Sequence, residues 1–282
     1  MNIGQALFLA KNKLRDSGIE SFNLDAMLLL SHLLQQSKEF IIFNPEIELP
    51  ENQIREFETL INRRQKFEPI SHILQNREFY ARDFFVSKDV LDPRPDSETL
   101  IEYVLKSFQK DDKLDILEVG VGSGCLIITL LIELQNTTGK AVDISKKAIE
   151  IATKNSLNHD LGDRLNIIES DLFSNIREGE KFDLIISNPP YIKSEDINNL
   201  QKDVKNFEPL TALDGGEDGL DFYRRISKET RRYLRDDGSI IIEIGAHQEN
   251  EIIEIFQENK FSFIDSAKDI ASIIRILHFK AE

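Results

Sequence analysis

The sequence predicts an α/β protein: a mainly parallel sheet with an antiparallel last strand, preceded by an all-α helical bundle and a β-hairpin linker. Three observations carry this. From Leu114 onward, short apolar runs alternate with segments of helical spacing, the rhythm of parallel strands joined by crossover helices. Before about residue 75 only helical periodicity occurs. Between the two, residues 78–91 are rich in aromatic and β-branched types. The expected organisation is a helical domain over 1–75, a hairpin linker over 76–92 and a sheet domain over 93–282.

In the first part, helices are expected over 3–14, over 23–34 with Leu24, Met27, Leu28, Leu30 and Leu34 near helical spacing, and over 53–67 after the Pro50 break. In the linker, Phe79, Tyr80, Phe84, Phe85, Val86 and Val90 flank a turn at Ala81-Arg82-Asp83. Pro93-Arg94-Pro95 starts a new unit, and Asp96 or Ser97 caps a helix carrying Leu100, Ile101, Val104 and Leu105. The alternating region then gives strands at 114–118, 139–143, 165–169, 182–187 and 239–244, with helices at 126–134, 145–157, 220–234 and 249–256. Two last apolar runs, 261–264 and 272–279, are separated by a link too short for a crossover, so they pair antiparallel.

Composition bounds the function. With 40% hydrophobic and 30% charged residues the chain is globular, and its net charge of -15 repels phosphate backbones, so nucleic acid is a disfavoured partner. The lone Cys125 excludes an internal disulfide, and the scattered histidines (His32, His72, His159, His247, His278) offer no local metal site. No apolar stretch spans a bilayer and no signal peptide is read at the start, so a metal-free protein of the cytoplasm without a membrane anchor is expected.

Two motifs point to chemistry. The apolar run 182–187 ends at Asn188-Pro189-Pro190-Tyr191. An asparagine amide oxygen and a carbonyl from a proline-fixed backbone can accept the two N–H bonds of a planar NH2 group, with the Tyr191 ring supporting its plane. Taken alone, Asn-Pro-Pro is equally an ordinary strand stop. The second motif is Glu118-Val119-Gly120-Val121-Gly122-Ser123-Gly124, where a strand meets a helix start and an open α/β sheet holds its ligand. Its third glycine falls at 124, with Cys at 125, which departs from the nicotinamide-dinucleotide pattern. Asp143 follows about twenty residues later, at a strand end, where a carboxylate takes ribose hydroxyls. Asp171-Leu172, after the third strand, is placed to accept an adenine amino group and to pack on the purine face. Glu118 belongs with these cofactor-side residues or is structural. Together the motifs are similar to the class I, Rossmann-like methyltransferases that use S-adenosylmethionine.

Within that class the chain resembles the release-factor glutamine methyltransferases of the HemK/PrmC type. The resemblance is carried by Leu24-Asp25-Ala26-Met27-Leu28-Leu29-Leu30, Glu68-Pro69-Ile70, Arg77-Glu78-Phe79-Tyr80, Pro93-Arg94-Pro95-Asp96-Ser97-Glu98, the glycine turn, Asn188-Pro189-Pro190-Tyr191-Ile192, and Phe207-Glu208-Pro209-Leu210-Thr211-Ala212-Leu213. It implies a helical domain that docks a peptide chain release factor and a catalytic domain that methylates the side-chain nitrogen of the glutamine in that factor's Gly-Gly-Gln motif. It further implies that Gly120 to Gly124, Asp143 and Leu172 line S-adenosylmethionine, and that Asn188, Pro189, Pro190 and Tyr191 hold the glutamine amide. Leu172 stands where the family often has a large aromatic residue. The stretch Asp269 to Arg275 lacks the glycine and second acid anticipated ahead of Arg275.

Other readings stand beside this one. The same four residues suit an adenine or cytosine amino group, with Tyr191 stacking on a flipped base. Arg224, Arg225, Lys228, Arg231, Arg232 and Arg235 crowd one helix, either a phosphate contact or a solvated face. A non-catalytic scaffold is a third reading. Gly215, Gly216 and Gly219 among Asp214, Glu217 and Asp218 lack EF-hand spacing and read as a flexible loop at the substrate mouth. Arg94 either approaches the site or orients the link.

Overall fold

The computed structural model describes residues 1–282 and falls into two compact units, Met1–Asn76 with Gln201–Phe207, and Arg77–Leu200 with Glu208–Glu282. The first unit is built from α1 (Ile3–Asp16), α2 (Phe22–Leu34), α3 (Lys38–Phe43), α4 (Glu51–Gln65) and α5 (Ile70–Leu74). Asn2 starts α1 with a reciprocal cap, accepting from the Gln5 backbone N–H while the Gln5 side chain accepts from its own. Ile3, Ala6, Ala10 and Leu14 then bury one stripe against Leu29 and Leu30 of α2 and Phe57 and Ile61 of α4. The six-residue α3 was not separable from sequence, because it is too short to show a period; the Ser37 hydroxyl starts it by accepting from Phe40 N–H.

One buried ion pair crosses this core. Arg64 Nε on α4 donates to Asp25 Oδ2 on α2 at 2.6 Å, Ser21 Oγ donates to the same oxygen at 2.8 Å, and Arg64 also donates to the Glu68 carbonyl. This gives Asp25, in the Leu-Asp-Ala run that carried the family resemblance, a structural reason to be acidic.

The second unit opens with β1 (Arg77–Phe79) and β2 (Arg82–Phe84). The turn falls at Tyr80-Ala81, earlier than expected, with φ of +50° and +55°. Such a two-residue loop matches the strand twist. The strand pattern anticipated through Leu91 stops at Phe84, since Phe85 bonds both N–H and C=O to the Asn155 side chain. Val86 and Val90 are apolar because they pack on Ala148 and Ile151 rather than in a sheet.

There follow α6 (Glu98–Ser107), β3 (Asp115–Val119), α7 (Cys125–Glu133), β4 (Thr138–Asp143), α8 (Lys146–Asn158), β5 (Leu165–Glu169), β6 (Phe182–Ser187), α9 (Lys202–Phe207, which belongs to the first unit), α10 (Asp221–Thr230), β7 (Leu234–Glu243), α11 (Glu249–Glu258), β8 (Phe261–Lys268) and β9 (Ile274–Ala281). The sheet order is β5-β4-β3-β6-β7-β9-β8, parallel as far as β7, with β9 antiparallel to both neighbours. Alternation along the strands divides the core. Ile116, Leu184, Ile186 and Ile241 face α6 and α7, whereas Leu117, Ile185, Ile240 and Ile242 face Tyr223 and Ile226 of α10 and Ile252 and Phe256 of α11. The last hairpin turns without glycine: Ser272 takes φ +65° and Asp269 accepts from Ile273 N–H. No helix is long and apolar enough to cross a membrane.

Replacing Asp25 by alanine leaves the Arg64 guanidinium buried without its counter-charge, and the loss should be on the order of 3–5 kcal/mol. Chemical denaturation followed by circular dichroism checks it. A change below about 1 kcal/mol, the level of an exposed pair, would contradict the structural role given to this pair.

Candidate active site

The strand order reverses between β3 and β6, and the crevice at their carboxyl ends is where an open sheet binds ligands. Here it is a cavity of about 470 Å³. Its floor is the glycine turn. Gly120, Gly122 and Gly124 take φ of +83°, +51° and +81°. A Cβ on Gly120 or Gly122 would meet no protein atom within 4 Å, so these two leave room on the cavity side, whereas one on Gly124 would lie 2.9 Å from Ile128 Cδ1. The turn is held from behind by Gly120 and Val121 N–H on the Val142 carbonyl, and by Asn155 Nδ2 on the Ser123 carbonyl.

Asp143 sits at the end of β4 and accepts Gly122 N–H on one carboxylate oxygen and Ser145 N–H on the other, at 3.0 and 2.9 Å. Burial pushes its pKa above the usual carboxylate range, partly opposed by those N–H groups. Each oxygen retains a lone pair for a ligand. Glu118 also lines the cavity, but its Oε2 accepts from Ile127 N–H in the first turn of α7. Burial pushes this carboxyl well above its ordinary pKa, with the Asp143 charge adding to the effect. Asp171 and Leu172 line the cavity as well. Arg225 donates to Asp171 Oδ1 at 2.7 Å, so that carboxylate already has a partner. Leu172, at φ +50°, is nearly buried.

Asn188, Pro189 and Pro190 line the cavity from the end of β6, beside the glycine turn. Tyr191 is not among the lining residues; it packs into the core beside α10 and α11, and burial pushes its hydroxyl up to about 12. The segment is fixed on several sides. Ser187 Oγ donates to the Val119 carbonyl, Asn188 Nδ2 donates to Ser97 Oγ at 3.1 Å, and Gln248 Nε2 donates to the Tyr191 carbonyl. Residues 214–219 do not form the loose mouth loop expected from their glycines. Ile192 N–H donates to the Leu213 carbonyl, Gly215 N–H to the Ile192 carbonyl, and Ser194 N–H to the Gly216 carbonyl, a short parallel bridge along the motif. A Cβ on Gly215 would lie 2.8 Å from the Pro190 oxygen, and one on Gly219 2.5 Å from the Tyr191 oxygen. These glycines are small so that the loop can lie against the Pro190-Tyr191 main chain.

Arg94 lines the cavity and its Nη2 reaches both oxygens of the buried Glu208 at 2.7 Å. Ser97, Asn155, Glu208 and Glu243 did not stand out as site residues in the sequence, since each acquires its partner from a distant segment. Of the basic run near α10, Arg224 pairs with Asp218, Arg225 with Asp171, Arg235 with Asp115 and Asp183, and Arg231 with the Glu282 carbonyl. These cations are largely matched within the chain, which weakens the case for a phosphate-binding face.

Gly215→Ala should lower turnover about tenfold or more, because the added Cβ displaces the Pro190-Tyr191 main chain beside the cavity. Wild-type turnover in this variant would show that the loop does not fix the motif.

Comparison with known proteins agrees with this architecture. The family model described as the PrmC N-terminal domain matches residues 5–74, and that of the methyltransferase small domain matches residues 85–204. A release factor glutamine methyltransferase of Clostridium acetobutylicum is 38% identical, with 98% of each chain covered. A bifunctional methyltransferase of Rickettsia felis is 37% identical over 99% of this chain, which spans only 58% of that relative's length. A solved methyltransferase from Pyrococcus furiosus, 19% identical, shares the fold with a TM-score of 0.54 over 80% of this chain and 96% of its own. With its helical unit, its sheet topology and 38% identity to the clostridial enzyme over nearly its whole length in view, the chain belongs to the release factor glutamine methyltransferases.

Proposed function

We propose that this protein transfers a methyl group from S-adenosylmethionine to the side-chain amide nitrogen of the glutamine in the Gly-Gly-Gln motif of a peptide chain release factor. The observation that carries the reading is that one cavity is lined both by the open glycines with Asp143 and by Asn188-Pro189-Pro190, which leave neighbouring strand ends. The cavity fits such a cofactor. Its volume lies in the range of small-molecule sites, its floor leaves space that a Cβ would fill, and Asp143 offers free lone pairs for hydroxyl donors.

In this reading Gly120 to Gly124 admit the cofactor closely, Asp143 takes its ribose hydroxyls, and Leu172 packs on its adenine. The bound cofactor supplies an electrophilic methyl carbon on a positively charged sulfur. A carboxamide nitrogen is a weak nucleophile because its lone pair is delocalised into the carbonyl. Asn188 Oδ1 and the Pro189 carbonyl accept its two hydrogens and orient it, and both bonds strengthen as positive charge grows on nitrogen during the in-line displacement. Proline at 189 and 190 fixes φ, so these acceptors are held in place before substrate arrives. No strong base is required: the N-methylated amidium is acidic enough to release its proton to water.

The helical unit then has the role of docking the release factor, and the net charge of -15 is consistent with a protein rather than a nucleic-acid substrate. The test is incubation with a labelled methyl donor and purified release factors, with a factor carrying alanine in place of the target glutamine as control. Label should enter only the glutamine-bearing factor. Asn188→Ala should reduce kcat roughly 10²–10³-fold, the cost of losing one preorganised partner of developing charge, with cofactor binding less affected. Unchanged turnover in that variant would refute the role given to Asn188.

A further inference from the structure

Glu243 ends β7 and is 1% exposed, and the mechanism above does not use it. The parallel register of β6 and β7 pairs Ser187 with Ile242, and continuing it by one residue sets Glu243 beside Asn188. The Ser97 hydroxyl and the Asn188 amide lie close enough to its carboxyl to favour the ionised form. Asn188 Nδ2 also donates to Ser97 Oγ at 3.1 Å. Glu243 Oε2 is fully buried and has no hydrogen-bond partner. A buried carboxylate with an unsatisfied oxygen is costly, and a native structure retains such a group where it has work to do.

We propose that Glu243 is a positioning residue for Asn188: with Ser97 it keeps Nδ2 on the buried side, so that Oδ1 is presented to the cavity. The inference rests on the proposed role of Asn188 as an acceptor. If the Asn188 amide were flipped, its oxygen would face a carboxylate, two acceptors in contact. In the observed orientation the negative charge behind Nδ2 polarises the amide and makes Oδ1 a better acceptor for a nitrogen gaining positive charge.

The arrangement requires ionised Glu243. Once protonated, the carboxyl can itself donate to Oδ1, and the discrimination between the two amide orientations is lost. The groups facing it come from five elements. Arg275 on β9 favours the ionised form but is shared with Asp269 and Asp96, at 2.9 and 3.2 Å. Asp96, ahead of α6, opposes it. Tyr191 after β6, Tyr223 on α10 and Cys125 at the start of α7 have pKa values raised by burial and stay neutral. Burial dominates and pushes Glu243 up to about 7. Activity should therefore rise with pH through this region, as the carboxylate forms.

The test measures kcat against pH for the wild type, Glu243→Gln and Glu243→Asp. Glutamine keeps the shape but cannot ionise, so at most a neutral amide oxygen replaces the carboxylate beside Nδ2. It should lower kcat at pH 8 about 10- to 100-fold, the factor that loss of a hydrogen bond to a charged group brings. It should also abolish the acidic limb near pH 7. Aspartate should restore part of kcat and keep a limb. Binding of S-adenosylhomocysteine by calorimetry should be unchanged in both variants. A Glu243→Gln enzyme with wild-type kcat, or with reduced kcat but an unaltered limb, overturns the proposal, because a merely structural residue gives the latter.

A second measurement needs neither variant to fold. In the wild type, the Asn188 side-chain amide resonances, assigned by their absence in Asn188→Ala, should shift between pH 6 and 8 with the midpoint of the limb. Resonances that stay fixed overturn the coupling. If the wild type transfers no methyl to a release factor, the proposed function fails, while this titration still decides whether Glu243 and Asn188 are linked.

Discussion

In the proposed mechanism the chemistry depends on a short, well-braced piece of main chain, the run from Ser187 to Ile192 at the end of β6. Proline at 189 and 190 restricts it from within. From outside it is held by Ser97 on the Asn188 amide, Gln248 on the Tyr191 carbonyl, and the 213–216 segment bridged along Ile192. Orienting a weak nucleophile is a matter of tenths of an ångström, so preorganised acceptors are worth more than flexible ones. The glycines at 215 and 219 serve this purpose: without a Cβ, the loop lies directly against the backbone it braces.

The polar groups behind that segment form a connected cluster. Asn188 meets Ser97 and Glu243, while Arg275 links Asp96 and Asp269 across the turn before β9. Such a cluster in a low-dielectric interior contributes more to fixing one geometry than to net stability, since desolvation of its charges offsets most of their attraction. The anticipated glycine and second acid before Arg275 are dispensable here, because Ser272 adopts the left-handed turn and the guanidinium is held by Asp269 together with Asp96 from a distant segment. On the cofactor side, Glu118 plays the comparable part. Its oxygen caps the start of α7, which steadies the glycine turn from beneath.

Much of the fold was legible in the sequence because the strands of the sheet are continuous apolar runs and the helices between them are amphipathic. Both signals are local. The two ligand-facing motifs were legible for the same reason: Gly120 to Gly124 and Asn188 to Tyr191 are contiguous, and each ends a strand. What misled was composition without context. Phe85, Val86 and Val90 look like a strand, yet they are apolar because α8 covers them. The glycines at 214–219 look like flexibility, yet they mark close packing against the motif. The arginines around α10 look like an anion site, yet distant carboxylates pair with several of them.

The sequence by itself determined the fold class, the order of the strands along the chain and two contiguous stretches, Gly120 to Gly124 and Asn188 to Pro190, that line the cavity. Each of these follows from neighbours in the chain. Only the tertiary structure decided what stands behind those stretches: Glu243 beside Asn188, Ser97 beneath its amide, Asn155 bracing the glycine turn and Arg225 on Asp171. These partners come from segments far apart in the chain, and a contact made by folding leaves no periodicity or spacing along the sequence from which to read it.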